Sequence, residues 1–537
     1  MNVLSRLAWF VLWAGPVIAI LLAARQLMQF AQLSSYQAGG YIRALRRLPQ
    51  KCVWPGLALS AVAVVLMVFG TLALSAPPFL SLVAALLLTG LLLVAGWIIG
   101  QMAYREKTAK VKLVMTARIK RLYLATALVA GLICWPMCRA GWSLGFAVLL
   151  PVLTPILLLL GLFLAYPVEK AIQLIYCEDA RRILEGYRKT GLDVIAITGS
   201  YGKTTVKNIL AAMLSQRYPT LASPASFNTP LGLARCIREE LGHQHRFFIA
   251  EMGARHPQDI RVLCRMIRPR AGILTAIGPQ HLETMGSLQR VQETKYDLIR
   301  ALPGDGYAVF NDDGKQVAEC FRRTTHLSKC LAGSVDSGAW AEEVKFSAEG
   351  SDFVLCFPDG SRQAVSTALA GEHNVRNILM AAAMARQLGI SPRKIALALE
   401  EVRPIASRLQ MSIHPRGYKV INNGFNSNPD SSRKALEVLA AQPGRLVVVT
   451  PGFIELGRQE TPSNRRLGSD IAAVAHLALL IGEKRTRPIK EGLLENGMRP
   501  ENILVFAGLN EANRYIQETF GPGDVLLYEN DLPDHYA

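Results

Sequence analysis

Thr198-Gly-Ser-Tyr-Gly-Lys-Thr-Thr205 is the stretch of this 537-residue chain whose residue types and spacing point most directly to chemistry. Asp193-Val-Ile-Ala-Ile before it has a short buried-strand pattern, and the apolar periodicity of Val206–Arg217 after it predicts a helix. A glycine loop between a strand and a helix N-terminus turns backbone N–H groups toward an anion, which makes Gly199, Ser200, Gly202, Lys203, Thr204 and Thr205 candidate phosphate binders. Lys203 adds a charge for terminal phosphates, and the Thr204 hydroxyl stands where Mg²⁺ would sit. The spacing is not the usual Gly-x-x-x-x-Gly-Lys, whose first glycine would fall at Ile197.

Two more strand patterns end in residues suited to such a site. Phe247-Phe-Ile-Ala-Glu251 closes on a carboxylate, where a nucleotide-binding sheet supplies a metal ligand. Ala271-Gly-Ile-Leu-Thr-Ala-Ile-Gly-Pro-Gln-His281 runs to a histidine, and Lys295 follows on a helix predicted over Leu288–Leu302. Taken singly, Glu251 is a strand-end carboxylate, His281 a loop histidine and Lys295 a solvated helix lysine. All are expected at strand ends, loops or helix faces outside the core, so that losing one harms chemistry and not folding.

With the phosphate loop, these stretches resemble the Mur ligases, ATP-dependent enzymes that join amino acids or dipeptides to peptidoglycan precursors, and most of all the type that adds D-alanyl-D-alanine. Gly371-Glu-His-Asn-Val-Arg-Asn377, Ser407-Arg408 and Asn422-Asn-Gly-Phe-Asn-Ser-Asn-Pro429 continue the resemblance in the family's order. It implies ATP as substrate, with Lys203 on its terminal phosphates and Lys203, His281 and Lys295 as the catalytic set. Thr204 and Glu251 would hold one Mg²⁺, and His281 with a carbamylated Lys295 a second. Asn374 and Asn377 would face the adenine, and Arg408 would reach the phosphates from the domain hinge. Asn228 and Thr229, in the stretch Ser223–Gly232, stand where the family has a loop facing substrate, although Asn228 is equally a turn residue. Asn426 and Asn428 are further candidate substrate contacts.

Such chemistry needs these residue types. A carboxylate is a poor acyl donor, so ATP converts it to an acyl phosphate, which an amine then attacks. Moving a phosphoryl group onto an anion gathers negative charge that cations and helix N-terminal amides must stabilise. An ordinary lysine repels Mg²⁺, whereas a carbamate offers it oxygen.

The implied architecture is an α-helical membrane domain followed by α/β domains. Its parts are a membrane domain over 1–167, a linker helix over 168–192, a central P-loop domain over 193–403 and a C-terminal Rossmann-like domain over 404–537. Apolar runs at Tyr418–Ile421, Leu446–Thr450, Leu477–Ile481, Ile503–Phe506 and Val525–Tyr528 give that last domain its doubly wound rhythm. Three features depart from the family. Its usual UDP-gripping N-terminal domain is replaced by the apolar block. Asn423 stands where an Asp commonly accepts hydrogen bonds from the ribose, keeping an acceptor without the charge. Near the C-terminus, Glu529 and Asp531 read either as binders of an incoming ammonium or as an acidic surface tail. Thr450-Pro-Gly-Phe-Ile-Glu455-Leu-Gly reads either as a substrate loop or as a strand-end turn.

Residues 1–190 carry 19 basic and 5 acidic side chains, and the remainder 40 and 36, so the net charge of +18 is concentrated among long apolar runs. That pattern fits a cytoplasmic membrane face and excludes a nucleic-acid groove. Five runs approach the roughly 20 residues a membrane helix needs: Leu7–Ala24, Val53–Leu74, Phe79–Ile99, Leu122–Met137 and Trp142–Tyr166, the last expected to kink at Pro151 and Pro155. Basic residues at Arg43–Lys51 and Arg105–Arg121 orient the N-terminus outward and the ligase half into the cytoplasm, as a multi-pass protein of the cell (inner) membrane. No Asp or Glu lies within a run, which argues against ion-coupled transport. Nine scattered cysteines form neither a disulfide framework nor a zinc signature. The expected partners are membrane lipid, a muramyl-peptide or other lipid-linked carboxylate, and an amino acid or dipeptide. A scaffold that binds ATP without catalysis is the contrasting reading, favoured only by Asn423.

Overall fold

The structure, a computed structural model, describes residues 3–74, 77–104, 112–139, 149–224, 227–347, 350–403, 410–424 and 428–530. Arg408, Asn426, Asp531 and the stretches 105–111 and 140–148 lie outside the described residues. Two units are distinguished, dividing between Ile172 and Gln173.

In the first unit, helices Val3–Ala23, Pro49–Leu74, Pro78–Ala103 and Ala117–Arg139 take up the apolar runs, and helix Thr154–Arg188 belongs to it as far as Ile172. Among the described residues, three helices are long and apolar enough to cross a membrane, and a fourth span is obtained if Trp13–Ala23 and Arg25–Leu33, bent by 53°, count as one. Five spans were expected, and the last of them begins within 140–148, outside the described residues. Ala117–Arg139 opens with Arg118, Lys120 and Arg121, which shorten its apolar stretch. Helix Thr154–Arg188 runs through Pro167 without a break. Gly96 and Gly100 lie against the backbone of Ala19 and Leu22, where side chains would not fit. Leu86, Leu87, Leu91 and Val94 remain exposed along Pro78–Ala103.

The second unit is built on two parallel sheets. In the first, β1 (Asp193–Thr198), β2 (Thr220–Ala222), β3 (Phe247–Glu251), β4 (Ala271–Leu274), β5 (Tyr307–Asn311) and β6 (Ser328–Ala332) take the order β2-β3-β1-β4-β5-β6, all parallel. Both faces are covered, which is why β1 reads as a continuous apolar run. Ile195 and Ile197 enter one core with helices Lys203–Ser215 and Glu372–Gln387, while Val194 and Ala196 enter the other with helices Asp259–Ile267 and Leu288–Arg300. An antiparallel sheet of β7 (Trp340–Phe346), β8 (Ser351–Cys356) and β9 (Arg362–Thr367) adds Phe353, Leu355 and Val365 to the first core.

The second parallel sheet contains β10 (Gln410–Ile413), β11 (Lys419–Asn423), β12 (Arg445–Thr450), β13 (Leu477–Ile481), β14 (Ile503–Phe506) and β15 (Asp524–Glu529) in the order β10-β11-β15-β12-β13-β14. Only β10 is antiparallel. Alternate residues of β12, Leu446 and Val448 against Val447 and Val449, again enter separate cores, giving the doubly wound domain expected from the strand rhythm.

Candidate active site

The phosphate loop leaves β1 at Thr198 and enters helix Lys203–Ser215 directly at Lys203. Gly199 has φ +157°, and a Cβ there would lie 1.9 Å from Thr275 Oγ1; Gly202 has φ +83°, and its Cβ would lie 2.6 Å from Asn377 Oδ1. The loop therefore closes around a space that only glycines leave open. Ser200 Oγ donates to the Gly278 carbonyl at 3.1 Å and accepts from the Gly278 amide at 3.0 Å, tying the loop to the segment after β4. Gly202→Ala is expected to weaken nucleotide binding about tenfold or more, since the left-handed conformation alone costs an L-residue about 1–2 kcal/mol. Calorimetric titration with ADP checks this, with the melting temperature as control.

Two amines converge on one carbonyl here. Lys203 Nζ donates to Gly199 O at 2.7 Å and to Ser200 O at 3.1 Å, and Lys295 Nζ donates to the same Gly199 O at 2.9 Å. Lys295 is not the solvated helix lysine its sequence context suggests. On Leu288–Arg300 it shares the inward face with Val291, Leu298 and Ile299 and is 2% exposed. Burial, reinforced by the Lys203 charge, holds its pKa well below the ordinary lysine range.

Glu251 also departs from the expectation of a site outside the core. It ends β3 opposite Ile197, is buried, and places Oε2 3.1 Å from Lys207 Nζ in an ion pair whose side chains are 3% and 1% exposed. Ser223 Oγ accepts from the Glu251 amide at 3.1 Å, and Asn228 Nδ2 lies 3.4 Å from Glu251 Oε1. Asn228 thus faces the site and is more than a turn residue. Its neighbour Thr229 is exposed and caps helix Pro230–Glu239 by accepting from Gly232 N. Lys207 was missed by sequence reasoning, although a lysine between Val206 and Ile209 on an apolar stripe, one turn after Lys203, was a signal that it needs a buried anion.

His281 lies at the end of the segment after β4, with φ +53°, and its Nδ1 contacts Glu455 Oε2 on the loop after β12. Burial lowers its pKa, while the Glu455 carboxylate pulls the other way. Tyr201, in the phosphate loop, donates its hydroxyl to Asp430 Oδ2 at 2.8 Å. Both contacts join the two parallel-sheet domains, and neither Tyr201 nor Asp430 stood out in the sequence.

Among the remaining candidates, Asn377 packs at Gly202 with 9% exposure, and Asn374 Nδ2 donates to the Ala370 carbonyl at 2.8 Å. Asn423 is buried and donates to Glu529 Oε2 at 2.8 Å. Glu529 itself is fully buried beside it on β15, which removes the surface-tail reading for that residue. Asn428 accepts from the amides of Asp430 and Ser431, so its Oδ1 caps helix Pro429–Ala440.

Chemically, the arrangement offers an anion cradle with two amines, and beside it a buried carboxylate. No group of three or more His, Cys, Asp or Glu suited to a metal occurs among the described residues. Thr204, at the start of the loop helix, and Glu251, at the end of the strand beside β1, are oxygen donors of the kind Mg²⁺ takes, since it keeps waters and accepts phosphate oxygens along with one or two protein ligands.

Comparison with known proteins accords with this geometry. The Mur ligase middle domain matches residues 197–385, and the Mur ligase glutamate ligase domain matches residues 407–528. The UDP-N-acetylmuramoyl-tripeptide–D-alanyl-D-alanine ligase of Mycobacterium bovis is 32% identical over 361 residues, covering 63% of this chain and 70% of that protein. MurF from Acinetobacter baumannii superposes with a TM-score of 0.61 at 27% identity, covering 67% of this chain and 77% of the other. The MurF ligase of Thermotoga maritima, solved with ADP, shares the fold with a TM-score of 0.58 at 21% identity, covering 68% and 81%. The chain therefore belongs to the Mur ligase family of ATP-dependent ligases, its two ligase domains preceded by a mainly helical N-terminal region.

Proposed function

We propose that this protein is a membrane-embedded ligase that joins an amino acid or dipeptide to a muramyl-peptide precursor already carried on a lipid. The observation that carries the ligase chemistry is the phosphate loop itself, which sets Lys203 at the first turn of helix Lys203–Ser215 against the Gly199 and Ser200 carbonyls and so brings positive charge to where the terminal phosphates of ATP would lie. ATP transfers its terminal phosphoryl group to the precursor carboxylate, giving an acyl phosphate and ADP. The amine then attacks the acyl carbon, and collapse of the tetrahedral adduct forms the amide and expels phosphate. Lys203 and the loop amides stabilise the charge on the transferring group. Mg²⁺, held by Thr204 and Glu251 and by His281 with Lys295, supplies further neutralisation of that charge when bound. In this reading Asn374 and Asn377, on the helix that packs beside the phosphate loop, would face the adenine.

For Lys295 a carbamate is consistent with its surroundings. Burial favours the uncharged amine of Lys295, the form that adds CO₂ with loss of a proton, and the carbamate keeps one N–H for Gly199 O. Lys295→Ala is expected to lose at least about 100-fold in turnover and to regain part of it with short carboxylates; absence of rescue removes the carbamate.

The lipid carrier is supported by the apolar helices and by basic residues at their ends. Arg46 and Arg47 close helix Ala38–Arg47, Lys51 follows, and Arg118 and Arg121 pair with Glu169. In this reading the N-terminus faces outward and the ligase domains face the cytoplasm. A substrate confined to the bilayer needs no separate grip on UDP, because tethering raises its effective concentration. With protein in a bilayer, kcat/KM, measured by ADP release, is expected to favour a muramyl peptide on a polyprenyl carrier over the same peptide on UDP. Equal use of the UDP form would reduce the N-terminal region to an anchor.

A further inference from the structure

The loop Thr450-Pro-Gly-Phe-Ile-Glu455-Leu-Gly takes no part in the chemistry above, yet it is held more firmly than a strand-end turn requires. Phe453 and Leu456 are buried in the C-terminal core. Asn464 accepts from the Phe453 amide at 2.7 Å and donates to the Phe453 carbonyl at 3.1 Å, and Asn530 Nδ2 donates to Gly452 O at 2.6 Å. From this base Glu455 reaches the central domain by two contacts. Its carbonyl accepts from the Glu283 amide at 3.0 Å, and its carboxylate meets His281 Nδ1. His281 and Glu455 both lie in the left-handed region, at φ +53° and +62°. Non-glycine residues persist there only where surrounding contacts hold them, and such positions gather at functional sites.

We propose that Glu455 is a positioning residue that sets the His281 ring for metal binding, so that this binding depends on the C-terminal domain being in place. An imidazole has two nitrogens, and a carboxylate on Nδ1 draws the N–H to that side. The lone pair is then left on Nε2, the form that ligates a metal, with the ring orientation fixed. Because the histidine belongs to the central domain and the carboxylate to the C-terminal one, their separation frees the ring. The inference rests on the reading of His281 as a metal ligand.

The test uses the full chain in lipid nanodiscs with a non-hydrolysable ATP analogue, titrated with Mn²⁺ and followed by electron paramagnetic resonance. His281→Ala is expected to lose one Mn²⁺ site. Glu455→Ala is expected to weaken that same site by about 10–100-fold, the scale for removing a partner behind a ligand, and Glu455→Asp to recover part of the loss. Analogue affinity and melting temperature should stay near wild type, which a merely structural role for Glu455 would not allow. If His281→Ala loses the site while Glu455→Ala and Glu455→Gln bind Mn²⁺ as wild type does, the positioning role is overturned and the ligand reading stands. If His281→Ala keeps every site, both are overturned.

Discussion

Lys203→Ala is expected to lower turnover by at least about 100-fold, the scale of losing one preorganised electrostatic stabiliser, with the melting temperature little changed. Lys203 is half-buried at the first turn of its helix, and its hydrogen bonds go to the carbonyls of the loop it serves. The two carbonyls are neutral, so losing these bonds leaves no charge unpaired at them. The loss should therefore appear in ADP release, while thermal unfolding stays near wild type. Near-normal ADP release by folded Lys203→Ala would overturn its catalytic placement.

Glu251→Ala should behave differently, because its carboxylate has a second task. Turnover is expected to fall by at least about 100-fold, and stability by about 3–5 kcal/mol as well, since Lys207 is left charged in a site that excludes water. Adding Lys207→Met to the same chain should restore most of the stability, an apolar side chain suiting the apolar stripe around it, and none of the activity. Chemical denaturation of the two variants beside their ADP release separates the roles. If Glu251→Ala unfolds like wild type, the pair contributes nothing to the fold.

The sequence by itself determined the elements and the loop. β1, β3 and β4 and the β11–β15 rhythm were legible because a strand buried on both faces must be apolar throughout, and the phosphate loop because its glycines and Lys203 are adjacent in the chain. The helix after the loop starts three residues earlier than the periodicity implied, since Lys203, Thr204 and Thr205 already have helical geometry without being apolar.

Tertiary structure alone decided which charges meet. That Lys295 is buried against Gly199, that Lys207 neutralises Glu251, that Tyr201 reaches Asp430 and Glu455 reaches His281, all depend on contacts between residues up to 229 positions apart. Periodicity reports how one segment faces its core and says nothing of the partner that a buried charge finds there. The same limit explains Glu529, whose acidic neighbours suggested a surface but whose place on β15, between β11 and β12, buries it beside Asn423. Local pattern sets which residues turn inward. Only the packing of the two domains determines whether an inward charge is paired, desolvated or aimed at a ligand, because those outcomes follow from distance and dielectric and not from residue order.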